Sequence, residues 1–510
     1  MYFWVLPQCD NPTTITFMSP QTFLTRAGGA IAPMIRWSAI VVFVMLSATC
    51  CSATTFTAKT CSASDVQASL NQTADGDVVQ VPAGNCTWTT EVDPPCHSWT
   101  LQGAGAGSTV ITVNNAGGSG IGLSCSGKSI RITGFTWTRQ ATLPEGIFNL
   151  IGNPLSFRID HNTINQVSTW GRWMWIEGPC GSPGCVIDHN AITNVGGIVS
   201  AKASSDATGC KNVSPVNVDN CAGTTQWLQS MVLDQGTKEV YFEDNTLTWT
   251  NFIDNDMLDC QNGGRYVFRH NTVKGNDIFG HGYDSVSNSC LEMTVYENAM
   301  TVNNGDAPGA VLYRGGTGVV YNNIMPTSSH YAGYISVQNY RSNSGGANTC
   351  ANGRVNCNLC NGANPIDGNQ IGGWPCYQGP GRGSSASSGS ASFPLYVWEN
   401  CGTAIPCTGT SDQRTPVVDI SDSFNDLAAN RDWYDSVSPF SGKVGIGVGL
   451  LPGRPATCTA GVAYWATDEK TLYQCTGNAW TTYYTPFTYP HPLVAGDGPQ
   501  APQGLKAAVN

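Results

Sequence analysis

Charge is scarce in this chain: of 510 residues only 12% are Asp, Glu, Lys or Arg, and seven are His. The formal charge of −11 argues against a nucleic-acid partner, which would want a basic face. It leaves a polyanionic substrate open, since bound cations can bridge. Long apolar runs are missing too. The strongest, Ile40 to Leu46, falls far short of the roughly 20 residues a membrane-spanning helix needs. No His-Glu-x-x-His and no Gly-x-Ser-x-Gly occurs, and Gly103-Ala-Gly-Ala-Gly107 is followed by no helical pattern. Zinc-protease, serine-hydrolase and nucleotide-loop chemistry are therefore set aside. Helical spacing is confined to Ser64 to Asn71, while glycine numbers 58, which implies turns and strands.

What is present is a repeat. Six segments share one form: Phe157 to Ile164, Val186 to Ile192, Val240 to Leu247, Tyr266 to Val273, Val295 to Met300 and Val319 to Met325. Each is a short apolar strand, a turn carrying Asn, and a second short strand. The steps along Asn162, Asn190, Asn245, Asn271, Asn298 and Asn323 are 28, 55, 26, 27 and 25. The 55 reads as two coils with the middle Asn missing. A period in the 20s built from strands predicts a parallel β-helix. Stacking closes the core and pairs the strand edges. Each Asn is expected to take a left-handed backbone and bond the next coil's amide. A β-sandwich with Asn turns is the alternative, but sandwiches do not repeat one motif at one period.

Residues 34–53 have the form of a secretory signal: Met34-Ile-Arg36, the apolar Ile40 to Leu46, and a small-residue cleavage site at Cys51-Ser-Ala53,. Residues 1–33 are then not expected in the exported protein. From Ala53 onward 18 of the 21 cysteines remain. An even number in an exported chain predicts disulfides, with Cys180–Cys185, Cys210–Cys221 and Cys458–Cys475 as candidate pairs. Cys357-Asn-Leu-Cys360 has zinc spacing, but disulfides are favoured there as well. We divide the rest into a β-helix at 54–340, a Cys/Gly/Ser-rich stretch at 341–392, further coils or a flap at 393–457, and a small β module with its tail at 458–510.

The helix pattern at Ser64 to Asn71, followed by Gly76-Asp-Val-Val-Gln-Val-Pro-Ala-Gly84, resembles the start of pectate-lyase-type β-helices, in which a short helix plugs the open end of a right-handed solenoid. Gly103 and Gly134 continue the coils where later ones carry Asn. The ending Tyr484 to Leu493, with Trp374 to Gly383, resembles secreted bacterial β-helix proteins. Together these resemblances imply an all-β, right-handed parallel β-helix with an N-terminal capping helix and an irregular Cys-rich C-terminal region.

Placing Asn at the second turn of each coil locates the strands before the preceding turn, at Trp173 to Ile176, Gly197 to Ser200, Met231 to Leu233, Met257 to Leu258, Ile278 to Phe279, Val311 to Leu312 and Tyr334 to Ile335. The residues closing the first six are Glu177, Lys202, Asp234, Asp259, His281 and Arg314. If they form one row, the row is a candidate active groove; the bland reading is a solvated rim of paired charges. Trp173, Trp175, Tyr283 and Tyr313 are candidate sugar platforms, although Trp173 and Trp175 are equally readable as core.

Two chemistries compete. In a hydrolase, Asp234 and Asp259 one coil apart would supply the paired carboxylates. Asp254-Asn-Asp256 to Asp259, Gly280-His281-Gly282 and Arg314 partly resemble the polygalacturonase order, without its Asn-Thr-Asp or adjacent Asp-Asp. In a lyase, Glu177, Asp234 and Asp259 would hold Ca²⁺, with Arg314, His281 or Lys202 as base or charge clamp. Ile159-Asp-His161 and Ile187-Asp-His189 are similar to the pectate-lyase Trp-Ile-Asp-His, with Arg158 and Val186 in place of Trp; we take these His as structural. The expected partner is an acidic, uronate-containing polysaccharide. A non-catalytic glycan-binding or adhesin role is the alternative.

Overall fold

A computed structural model describes residues 53–140, 146–152, 154–166, 173–193, 199–202, 233–248, 257–261, 263–275, 278–280, 282, 289–302, 309–326, 334–338, 379–383, 391–418 and 427–495. Three parallel sheets of nine, twelve and eight strands form the solenoid. Each coil passes from the first sheet to the second and then the third, as in Met174–Glu177, Cys180–Asp188 and Ala191–Thr193. Strands within each sheet pair with their counterparts in the coils before and after. Ile, Leu, Val, Phe, Trp and Met on the inward positions form one continuous core. The fold is the right-handed parallel β-helix, the hand that parallel crossovers almost always take.

The helix Ala63–Leu70 is capped by Ser62, whose Oγ accepts from the Asp65 amide at 3.2 Å. Its Val66 and Leu70 are buried in the core at the start of the solenoid, which covers an end that would otherwise expose apolar side chains and strand edges.

The turn between second and third sheets holds an asparagine ladder. From Asn190 onward each Oδ1 accepts from both the backbone amide and the Nδ2 of the preceding coil's Asn, at 2.8–3.2 Å, and the Asn162 Oδ1 accepts from the Phe135 amide at 3.1 Å. Two corrections and one extension follow. Asn190 bonds directly to Asn245, and Cys180–Asp188 pairs directly with Val240–Glu243. The 55-residue step is thus one coil carrying an insertion, not two coils. Asn323 bonds to Asn400, so a seventh rung follows a longer interruption. The left-handed residue is the one before each Asn: His161, His189, Asp244, His270, Glu297, Asn322 and Glu399 have φ of 48° to 57°. Gly134, at φ 80°, stands at that same left-handed position, one place before the rung.

The strands Leu395–Trp398 and Trp433–Asp435 extend the second sheet. A four-stranded sheet follows, made of Ile446–Gly449, Ala463–Ala466, Thr471–Thr476 and Ala479–Tyr484. This module and the segment after it pack on the outer face of the second sheet, in an apolar layer that includes Tyr241, Tyr296, Tyr321, Trp398, Trp465 and Tyr484. Six disulfides occur among the described residues: Cys61–Cys86, Cys96–Cys125, Cys180–Cys185, Cys260–Cys290, Cys401–Cys407 and Cys458–Cys475. Cys210, Cys221, Cys357 and Cys360 lie outside those residues. No described helix is long and apolar enough to cross a membrane.

Candidate active site on the first sheet

On the first sheet, alternation sends Met174 and Ile176 inward and leaves Trp175 and Glu177 outward,. Pairing then fixes two outward rows. Asn149, Trp175, Ser200, Asp259, Phe279, Leu312 and Ser336 share one register. Two residues further along, Ile151, Glu177, Lys202 and Gln261 share another. The Arg314 amide donates to the Gly280 carbonyl at 3.0 Å, and the Gln338 amide to that of Tyr313 at 2.8 Å. The ladder therefore runs on through Arg314 and Gln338, and the Arg314 Nε donates to the Gln338 Oε1.

Glu177 and Lys202 are thus side by side on adjacent strands, about 4.8 Å apart at the backbone. The turn after Glu177 requires glycine. Gly178 has φ 100°, and a Cβ there would collide with the Gly152 carbonyl oxygen. Trp175 is partly exposed, and Arg314 and Gln261 are half-buried. Asp259 is 5% exposed and Gln338 1%, so this part of the face is more enclosed than an open rim.

Several expected site residues stand elsewhere. Asp259 is on the same face but one outward position early. The strand Leu258–Gln261 continues past it, with Cys260 inward and bonded to Cys290, so Gln261 occupies the row of Glu177 and Lys202. Asp234 is not on this face. Val199–Lys202 pairs directly with Leu258–Gln261, which leaves no first-sheet strand between them. Asp234 instead precedes the second-sheet strand Val240–Glu243, left-handed at φ 56° and buried. Its Oδ1 accepts from the Tyr241 hydroxyl at 2.6 Å, and its Oδ2 from the hydroxyls of Tyr296 (3.1 Å) and Tyr484 (3.0 Å) and the Phe487 amide (3.0 Å). Four donors make it a clamp for the C-terminal segment. Tyr313 points inward, fully buried, its hydroxyl donating to the Met293 carbonyl at 2.5 Å; burial pushes its pKa far up. It is a core residue, not a sugar platform. Trp173 is likewise buried in the core, whereas Trp175 is not. His281, Tyr283 and the Lys202 side chain lie outside the described residues.

No protein-family model matches this sequence, and no curated protein does. Among solved structures, it is similar to an alginate lyase from Paenibacillus sp. str. FPU-7, at 17% identity over 55% of this chain and 99% of that one, with a TM-score of 0.33. It is also similar to the PL6 family alginate lyase AlyGC, at 12% identity over 86% of this chain, with a TM-score of 0.36. The match spans 57% of that second chain. Likenesses this slight carry no argument.

The rows decide what chemistry is geometrically available. Two strand spacings of about 4.8 Å and two residue rises of about 3.3 Å put the Glu177 and Asp259 backbones roughly 12 Å apart. The pair is therefore two strands and two residues apart, not on neighbouring coils at one register. With Asp234 on another face, the expected hydrolase pair is not assembled. The three carboxylates expected to share Ca²⁺ do not converge either. Among the described residues the one metal-like grouping is Cys401, Cys407 and Asp412, and its two sulfurs are joined in a disulfide. Sequence reasoning missed Gln261 and Gln338. Their signal was the period of two, continued one step past the last apolar residue of each strand.

Proposed function

We propose that this is an exported polysaccharide lyase that binds an acidic, uronate-containing polysaccharide along the outer face of the first sheet. The observation that carries the reading is the shared ladder, which sets Glu177 beside Lys202 and continues to Arg314, with Trp175 in the adjacent outward row. A uronate chain presents a carboxylate on every sugar. Cations repeated along one line suit it, and a flat indole beside them suits a sugar ring.

β-Elimination needs two things at one sugar. The carboxylate must be neutralised so that the proton α to it becomes acidic, and a base must take that proton. The C–O bond to the leaving sugar then breaks, a C=C bond forms within the uronate ring, and the leaving oxygen is protonated. We assign Arg314 as the clamp on the carboxylate and the accumulating charge. Lys202 or His281 is the base. Glu177, in register with Lys202 on the neighbouring strand, lines the binding face together with Asp259 and Trp175. The carboxylates do not converge, so no step is routed through a metal.

A panel of uronate polysaccharides, followed by the ultraviolet absorbance of the unsaturated product, tests this. Wild type should generate the absorbance, and Arg314→Ala should lower kcat/KM by at least about 100-fold with an unchanged melting temperature. New reducing ends without absorbance would mean hydrolysis. Binding without any new ends would mean a glycan-binding protein. Either result overturns the proposal.

A further inference from the structure

A second cleft opens on a different face. It has a volume of about 580 Å³, within the range of small-ligand sites, and lies between the asparagine turns and the C-terminal module. One wall is built from three left-handed turn residues on successive coils, Glu297, Asn322 and Glu399. The register of Tyr296, Tyr321 and Trp398 makes those coils adjacent. The opposite wall carries Trp465, Glu469 and Lys470, and Tyr489 closes one side. Aromatic rings support the floor: Tyr321 stacks between Tyr296 and Trp398 at 4.8 and 4.4 Å, with Trp465 at 5.3 Å.

The polar groups here are mostly acceptors, and some are unsatisfied. The Asn322 Oδ1 is buried with no hydrogen-bond partner. Glu399, on the next coil, is half-buried, and burial raises its pKa; it has no ion-pair partner among the described residues. Glu297 meets the His270 Nε2 at 3.1 Å. Burial lowers the His270 pKa to about 4, so this ring is neutral at pH 7. Glu469 accepts from the Tyr473 hydroxyl. Three carboxylates therefore face one cation, Lys470. A ligand must bring donors and no negative charge. It also meets the Tyr489 ring, 44% exposed and stacked on His270 at 3.5 Å.

We propose that this cleft is a second saccharide site, separate from the first-sheet face, which takes a neutral or amino-bearing pyranose and not a uronate. Hydroxyl or ammonium hydrogens bond Glu399 and Glu469, and the sugar's apolar face lies against Tyr489. An amino sugar is favoured because its ammonium offsets the surplus of carboxylates. Such a site would hold a second, non-acidic glycan while the first sheet engages the polyanion.

Titration calorimetry of the full chain with tetramers of glucosamine, glucose and galacturonate tests the assignment. Glucosamine should bind most tightly, glucose more weakly, and galacturonate should not compete with either. Glu399→Gln and the exposed Glu469→Gln should each weaken glucosamine binding at least about tenfold and leave any galacturonate binding unchanged. Arg314→Ala should show the reverse pattern, so failure of this site is distinguishable from failure of the lyase reading. No binding of glucosamine or glucose by wild type would overturn the proposal. So would undiminished binding by both Glu variants, or displacement by galacturonate.

Discussion

Replacing Asp234 by Ala separates a clamp from a catalyst. The carboxylate accepts from three buried tyrosine hydroxyls and one backbone amide. Each buried donor left unsatisfied costs about 1–3 kcal/mol, and water entering the vacated space recovers part of it. Alanine at φ 56° adds about 1 kcal/mol of backbone strain. We expect a loss of about 3–6 kcal/mol, concentrated where residues 484–487 meet the second sheet. Asp234→Asn tolerates the left-handed backbone and keeps one acceptor, so it should lose clearly less. Urea unfolding gives the global change, and hydrogen exchange of amides 484–493 reports local release. Turnover per folded molecule should be unchanged, since the residue is remote from the first-sheet rows. If Asp234→Ala keeps wild-type stability and exchange but loses activity, the placement of this residue is wrong.

Other outcomes follow from other contacts. Asn271→Asp keeps the ladder's acceptor but turns an oxygen toward the Phe242 and Arg269 carbonyls, which now accept from Nδ2 at 2.8 and 2.9 Å; a loss of about 3 kcal/mol or more in denaturant unfolding is expected. Burial alone would raise the Asp160 pKa, but hydrogen bonds from Arg131 and His161 and the Arg158 charge outweigh it and hold the group below its ordinary 3.8. Its stabilisation is therefore present above roughly pH 4 and lost as pH falls further, and Asp160→Asn should flatten the acid limb of a stability–pH profile. Opening Cys260–Cys290, separated by 30 residues, should cost about 3–4 kcal/mol, read as a lower melting temperature in the Cys260→Ala/Cys290→Ala double variant. Chelation should leave uronate cleavage unchanged; loss restored by Ca²⁺ would show that metal, not Arg314, neutralises the carboxylate.

The coils were legible because one residue type marks one turn. Asn at a fixed point after an apolar strand gave the register of the second and third sheets, and Asn271 to Asn298 needed nothing more. Where that mark was lacking, reading failed. No residue type ends the first-sheet strands, so Asp259 reads as a strand end although Cys260 and Gln261 continue the ladder. The step from Asn190 to Asn245 is close to twice the coil length, and length alone does not distinguish two coils from one coil with an insertion. That coincidence put Asp234 in the wrong row. The cleft at Glu399 had no local signal, because Trp465 and Tyr489 reach it only when a distant module docks.

The docking of that module has a consequence for the order in which the molecule is completed. The Arg269 guanidinium, fully enclosed against Glu243, also donates to the carbonyls of Phe487 and Thr488, more than 200 positions later in the chain. Coils can stack on their neighbours as soon as they exist. This arginine, with Glu243 and Asp234 nearby, stays wet until residues 484–491 arrive. The last act of maturation is therefore one in which a ribbon from the far end lies down over a charged stripe and expels its water.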